Sequence, residues 1–211
     1  MSKHSIRIAA LIGTVLVVCA FAPEPATAQG MSTLAPAIGT MWKYEGMMAT
    51  QEGQCWPKVP YEQYEKIAGH VILPETEAKV FYFIEYWGRD EGTMPLRLSP
   101  NGDAILYYHG VEQIAGIRGP VGTYFDFTDP ESGETLRYQI VQDGITLTVP
   151  AGTYSNVARM DVSCTSCGQN PVLVEIHWLS PEVAVPIQFA EWNAPNQCVP
   201  RWHELVSVTR K

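Results

Sequence analysis

Apolar residues in this chain hold no helical spacing over any long stretch; they come in short runs set apart by clusters of Gly, Pro, Asn and Asp. Such punctuation predicts strands. Met41–Met48 is the first, followed by a Gly53–Pro60 loop. Val80–Trp87 (VFYFIEYW) is apolar or aromatic at nearly every position, the composition of a strand buried on both faces or lining a cavity. Ala104–Tyr108 follows a Ser99-Pro100-Asn101-Gly102 turn. Leu136–Val141 and Ile145–Val149 flank Asp143-Gly144, and because glycine accepts positive φ the spacing predicts a hairpin there. Val157–Ser163, Val172–Leu179, Val183–Glu191 and Trp202–Thr209 add four strands. Tyr61–Ala68 alone has helical character, as two turns whose apolar residues fit neither period well. The expected fold is all-β and predominantly antiparallel: a curved sheet, half-barrel or barrel with little helix.

The N-terminus reads differently. Lys3 and Arg7 precede an uncharged apolar run from Ile8 to Phe21, and Ala26-Thr27-Ala28 follows. This is the order of a secretory signal peptide with an A-x-A cleavage site. The run is shorter than the roughly 20 residues a membrane-spanning helix needs. Cys19 follows Val18, where a lipid-carrying cysteine would want a small residue, so lipidation is disfavoured. The expected organisation is a cleaved signal peptide over 1–28, a flexible mature N-terminus over 29–38 and one β-rich domain over 39–211. No second apolar segment could span a bilayer as a helix. The expected location is periplasmic or secreted.

The formal charge of the whole chain is −8. Loss of Lys3, Arg7 and Glu24 on cleavage would make it −9. An acidic surface of this kind argues against nucleic acid as a partner. Of the five cysteines, Cys55, Cys164, Cys167 and Cys198 lie beyond the signal. In an exported chain an even number is read as two disulfides, with three connectivities that spacing alone leaves open. If the first strand pairs antiparallel with the last, closing a sheet, Cys55 comes beside Cys198 and Cys164–Cys167 becomes a loop clip.

Three local phrases stand out: Gly39-Thr40-Met41-Trp42-Lys43-Tyr44, Val149-Pro150-Ala151-Gly152-Thr153-Tyr154 and Trp178-Leu179-Ser180-Pro181-Glu182-Val183. Together they resemble a broad group of secreted bacterial domains with a G-x-x-W-x-Y opening and a V-P-A-G-T-aromatic hairpin. This chain departs from that pattern with Ala184 where glycine is usual, and with its own cysteines. The resemblance implies a curved antiparallel sheet, similar at fold level to periplasmic carriers of lipoproteins or lipids. Physically, Pro150 ends a strand because it has no N–H, and Gly152 permits the turn.

Catalytic patterns are sparse. Cys164-x-x-Cys167 sits between strands without a helix N-terminus to acidify a thiol, and no second ligand pair completes a zinc site. No haem motif, nucleophile elbow or phosphate loop occurs, and no cofactor is expected. Asp126, Asp129, Glu131 and Glu134 lack EF-hand spacing and read as a solvated turn. Glu175, His177 and His203 form a weak alternative as a two-histidine, one-carboxylate metal set; the primary expectation is no metal. The aromatics Trp42, Tyr44, Phe81, Phe83, Tyr86, Trp87 and Trp178 are the candidate binding residues, either filling a core or lining an open concave face.

The expected function is therefore a non-enzymatic, exported binding or carrier protein for a hydrophobic small molecule or lipid, or for an envelope protein. Two alternatives are an assembly domain with a filled core, and a metal- or carboxylate-dependent enzyme.

Overall fold

The computed structural model describes residues 36–51, 53–73, 79–99, 102–108, 110–130 and 132–210. The signal segment, its cleavage site, Cys19, most of the mature N-terminus, Pro100-Asn101 and Glu131 lie outside these residues. Twelve strands and no helix appear among them: β1 Met41–Ala49, β2 Lys58–Leu73, β3 Lys79–Gly88, β4 Gly92–Leu98, β5 Ala104–Tyr108 and β6 Val111–Gly116, then β7 Tyr124–Thr128, β8 Thr135–Val149, β9 Gly152–Cys164, β10 Val172–Leu179, β11 Pro186–Asn193 and β12 Cys198–Thr209.

All twelve belong to one antiparallel sheet in the order β6-β5-β4-β3-β2-β1-β12-β11-β10-β9-β8-β7. The sheet curls until it nearly closes into a barrel. The first strand does pair with the last, but at the centre of the sheet and not at a closing seam. The seam lies between β6 and β7, which share no backbone ladder. Side chains close it instead: Gln113 Nε2 donates to the Tyr138 hydroxyl at 3.1 Å, and Ile114 and Ile117 pack in one cluster with Phe125 and Phe127.

Both disulfides form. Cys55 joins Cys198 with Cα atoms 6.2 Å apart, and Cys164 joins Cys167 at 5.5 Å. The β1–β12 register brings Met48 opposite Arg201, so the chain leaving β1 and the chain entering β12 run side by side.

Strands β2 and β8 each correct a sequence expectation. Tyr61–Ala68 is not helical but lies inside the 16-residue strand β2. Its Glu, Gln and Lys content favours helix, and Gln63 and Glu65 on the inward face hide the strand alternation. Asp143-Gly144 is not a hairpin turn. Gly144 takes a φ of +67° inside the continuous strand β8, where the pairing with β9 slips between Gln142 and Ile145. The positive φ makes a bulge that bends the strand, and the reversal comes at Val149–Gly152.

That bend positions the core. The far end of the β8–β9 hairpin swings over the concave face, and the Ala151 amide donates to the Leu205 carbonyl of β12 at 3.0 Å. Val149 and Val157 are buried there with Trp42, Tyr44, Ile67, Ile84, Ile187 and Leu205. The loop residues Val183, Ala184 and Val185, expected as strand, join the same cluster, because β11 begins only at Pro186. Residues from all three phrases that stand out in the sequence thus meet in one core cluster.

Candidate functional site

Beyond the hairpin, toward the Cys55–Cys198 end, the concave face changes character in successive cross-strand rows. One row runs His177 (β10), Phe189 (β11), His203 (β12), Gly46 (β1) and Tyr61 (β2), each opposite the next. The adjacent row runs Glu175, Glu191, Arg201 and Met48. Because side chains alternate along a strand, residues two apart share a face, so both rows point the same way as the buried Tyr44 and Leu205. From core to mouth the face passes from aliphatic to aromatic to charged.

Gly46 permits the central contact. A Cβ there would fall 1.9 Å from the Trp202 carbonyl oxygen and 2.8 Å from His203 Cβ, so only glycine fits. With no side chain between them, Tyr61 and His203 meet across β1, the hydroxyl 2.8 Å from Nδ1. Burial, with Arg201 and His177 nearby, holds His203 down to about 3, so the ring is neutral at physiological pH. Burial pushes Tyr61 up to about 12, so it keeps its proton. The hydroxyl therefore donates to Nδ1, which leaves the imidazole proton on Nε2.

His177 Nε2 lies 2.8 Å from Glu175 Oε2. Burial alone would raise the Glu175 pKa, but the hydrogen bond and charge of His177, with Arg201 behind them, lower it on balance. Arg201 stands between two carboxylates, 3.1 Å from Glu191 and 3.4 Å from Asp90, with its guanidinium 5.1 Å from the Phe189 ring. Its Nε is near Glu191 yet makes no hydrogen bond, so that contact is a charge pair whose N–H points past the oxygen.

The metal alternative is not supported by this placement. Phe189 stands between the two imidazoles, 5.1 Å from each ring centroid, so Glu175 and His177 meet but His203 does not join them. Among the described residues, three ligand-type atoms converge only at Glu134, Cys164 and Cys167, and both sulfurs there are held in the disulfide. In the acidic turn Asp126 pairs with Arg137 at 2.8 Å, and Ser132 donates to Asp129 at 2.8 Å.

The seven candidate aromatics do not share one wall. Trp42 and Tyr44 face the core and are each 2% exposed. Tyr86 shares their side, since Glu65 lies opposite both Trp42 and Tyr86. By alternation Phe81, Phe83 and Trp87 lie on the other face of β3. Phe81 is buried beneath Arg97 and Tyr107, and Trp87 stacks on Tyr64 at 5.4 Å. Trp178 packs against the core cluster. An open groove of about 360 Å³ lies at the β8–β9 hairpin, lined by Tyr154, Glu182, Val183, Val208 and Arg210 among others, and none of the seven lines it.

Glu65 is a residue that sequence reasoning missed. It faces inward between Trp42 and Tyr86, and burial alone pushes its carboxyl up to about 7. Tyr61, Phe189 and Arg201 were missed as well. Their signal, one inward residue per strand at matched register, exists only once the pairing is known.

No protein-family model matches the chain, and no curated protein matches it. Two solved structures are similar to it at low identity. One is of a candidate lipoprotein from Parabacteroides distasonis, 14% identical, covering 82% of this chain and 97% of that one with a TM-score of 0.48. The other is of a candidate exported protein with a YmcC-like fold from Bacteroides fragilis, 9% identical, covering 83% and 97% with a TM-score of 0.47.

Proposed function

We infer that the chain is an exported, disulfide-stapled β-barrel that binds another envelope component at the barrel mouth, not a carrier that encloses a lipid. The observation that carries this reading is the filled interior: the β8–β9 hairpin covers the concave face, and Trp42 and Tyr44 are core residues. A carrier of apolar cargo would leave such a face uncovered. The half-exposed polar groups gather at the other end, where Glu191, Asp90 and Arg201 rim the His177–Phe189–His203 row. An aromatic floor with a charged rim is the composition of a protein-binding surface. Two disulfides support an oxidising compartment, in keeping with the export signal.

A photocrosslinking side chain placed at Glu191, and separately at Glu45 on the outer face, tests this in intact cells. The expected result is a discrete adduct from position 191 and none from position 45. No adduct at 191, or the same adduct from both, contradicts it.

A further inference from the structure

Among the described residues, Trp56 is the most exposed large apolar side chain, at 69%, and it does not lie on a loose loop. Its neighbour Cys55 is buried and bonded to Cys198. The Gly53 carbonyl accepts from Asn193 Nδ2 at 3.1 Å and Asn196 Nδ2 at 3.2 Å, and the Thr50 amide donates to the Pro57 carbonyl at 3.0 Å. Four ties to β12, to the β11–β12 turn and across the loop base therefore hold the indole out in solvent, where it could otherwise fold back onto apolar surface.

The segment that carries the indole is electrically neutral and has further exposed apolar residues. Along the chain after Trp56, Pro57, Val59 and Pro60 are exposed too, Val59 at 42%. From Thr50 to Pro60 the only charges are Glu52 and Lys58, which cancel, in a chain of net charge −8. Lys58 Nζ lies 4.7 Å from the indole centroid, so a cation and an aromatic ring share one level at the tip. Trp and Lys at one level are the residues that settle at a membrane–water interface, the ring among headgroups and the amine toward phosphate. A neutral tip on an acidic body also turns the least repelled surface toward a lipid layer.

We propose that the Cys55–Pro60 tip is a membrane-contact element, in which Trp56, followed in sequence by the exposed Pro57, Val59 and Pro60, seats the barrel against the headgroup layer of a lipid surface. The contact is peripheral and reversible, because one indole and a few small apolar side chains bury too little area for stable anchoring. It rests on the export reading only for which membrane is met. Lipid contact by the purified chain succeeds or fails independently of the mouth partner.

The test is partitioning of the oxidised, full mature chain onto phosphatidylcholine vesicles, read by flotation and by tryptophan quenching with brominated phosphatidylcholine. The expected result is measurable association with quenching for the native chain, about tenfold weaker association for Trp56→Ala, and an intermediate loss for Val59→Ser. Far-UV circular dichroism and a thermal midpoint unchanged in both variants show that the fold is intact. No association by the native chain, or equal association by Trp56→Ala, overturns the proposal. Binding only to anionic vesicles overturns it too, since that would make Lys58 and not the indole the anchor. So would a Trp56→Ala variant that loses a protein partner while vesicle binding is absent, which would make the tip a protein-docking element.

Discussion

Tyr61 and His203 are hydrogen-bonded at 2.8 Å although strand β1 lies between the strands that carry them. The contact exists because the intervening residue is Gly46, and it ties three central strands together at the floor of the mouth. Tyr61→Phe removes the donor and leaves a buried imidazole nitrogen unsatisfied. It should lower stability by about 1–2 kcal/mol in urea unfolding. Gly46→Ala should cost ~3 kcal/mol or more, because the new methyl collides with backbone that can yield only by opening the β1–β12 ladder. If the two variants are equally mild, the bridge is incidental.

Stability should bend with pH in two opposed ways. Glu65 ionises near 4.5 when unfolded and near 7 when folded, so the native state binds more protons between those values. Its contribution is fully present below about pH 4.5 and is lost as pH rises through 7. His203 is the reverse: its ordinary value of 6.5 falls to about 3 in the fold, so stability present above 6.5 is lost as pH drops toward 3. Glu65→Gln should flatten the alkaline arm, with a gain of up to about 3 kcal/mol at pH 8. His203→Gln should flatten the acid arm. Chemical denaturation from pH 4 to 8 checks both slopes.

The disulfides should differ in weight. The Cys55–Cys198 bond closes 143 residues and should contribute on the order of 5 kcal/mol by chain entropy, against about 2 kcal/mol for Cys164–Cys167 with its separation of 3. Paired serine variants compared by thermal unfolding test the ranking, and a larger loss from the short clip would contradict it.

If the hairpin fills the concave face, its buried side chains act as core. Val157→Ala should destabilise by about 2 kcal/mol, while Thr153→Ala, at the exposed Thr148–Thr153 pair, should cost well under 1 kcal/mol.

Strands rich in apolar and aromatic residues were legible in the sequence: Met41–Met48, Val80–Trp87 and Val172–Leu179 fall within a residue or so of β1, β3 and β10. The disulfide pairing followed from supposing that the first strand pairs with the last, which it does, though at the sheet centre and not at a closing seam. β4 was not legible, because Pro95 argues against a strand. The structure places Pro95 outside the Leu96–Leu98 stretch that pairs with β5, where the missing N–H is tolerated. β6 and β7 are short and set among glycines. The mouth was legible only in fragments. Glu175, His177 and His203 stand out as polar residues in strands, but Tyr61, Phe189 and Arg201 become their neighbours only through cross-strand register, which local pattern does not encode.

A sheet whose concave face is filled by its own β8–β9 hairpin encloses no apolar cargo. Native mass spectrometry of the protein released from its own envelope without denaturant tests it most directly. The expected mass is that of the polypeptide alone with two disulfides and no bound lipid. A stoichiometric lipid retained on the folded chain, and lost only on unfolding, would contradict it.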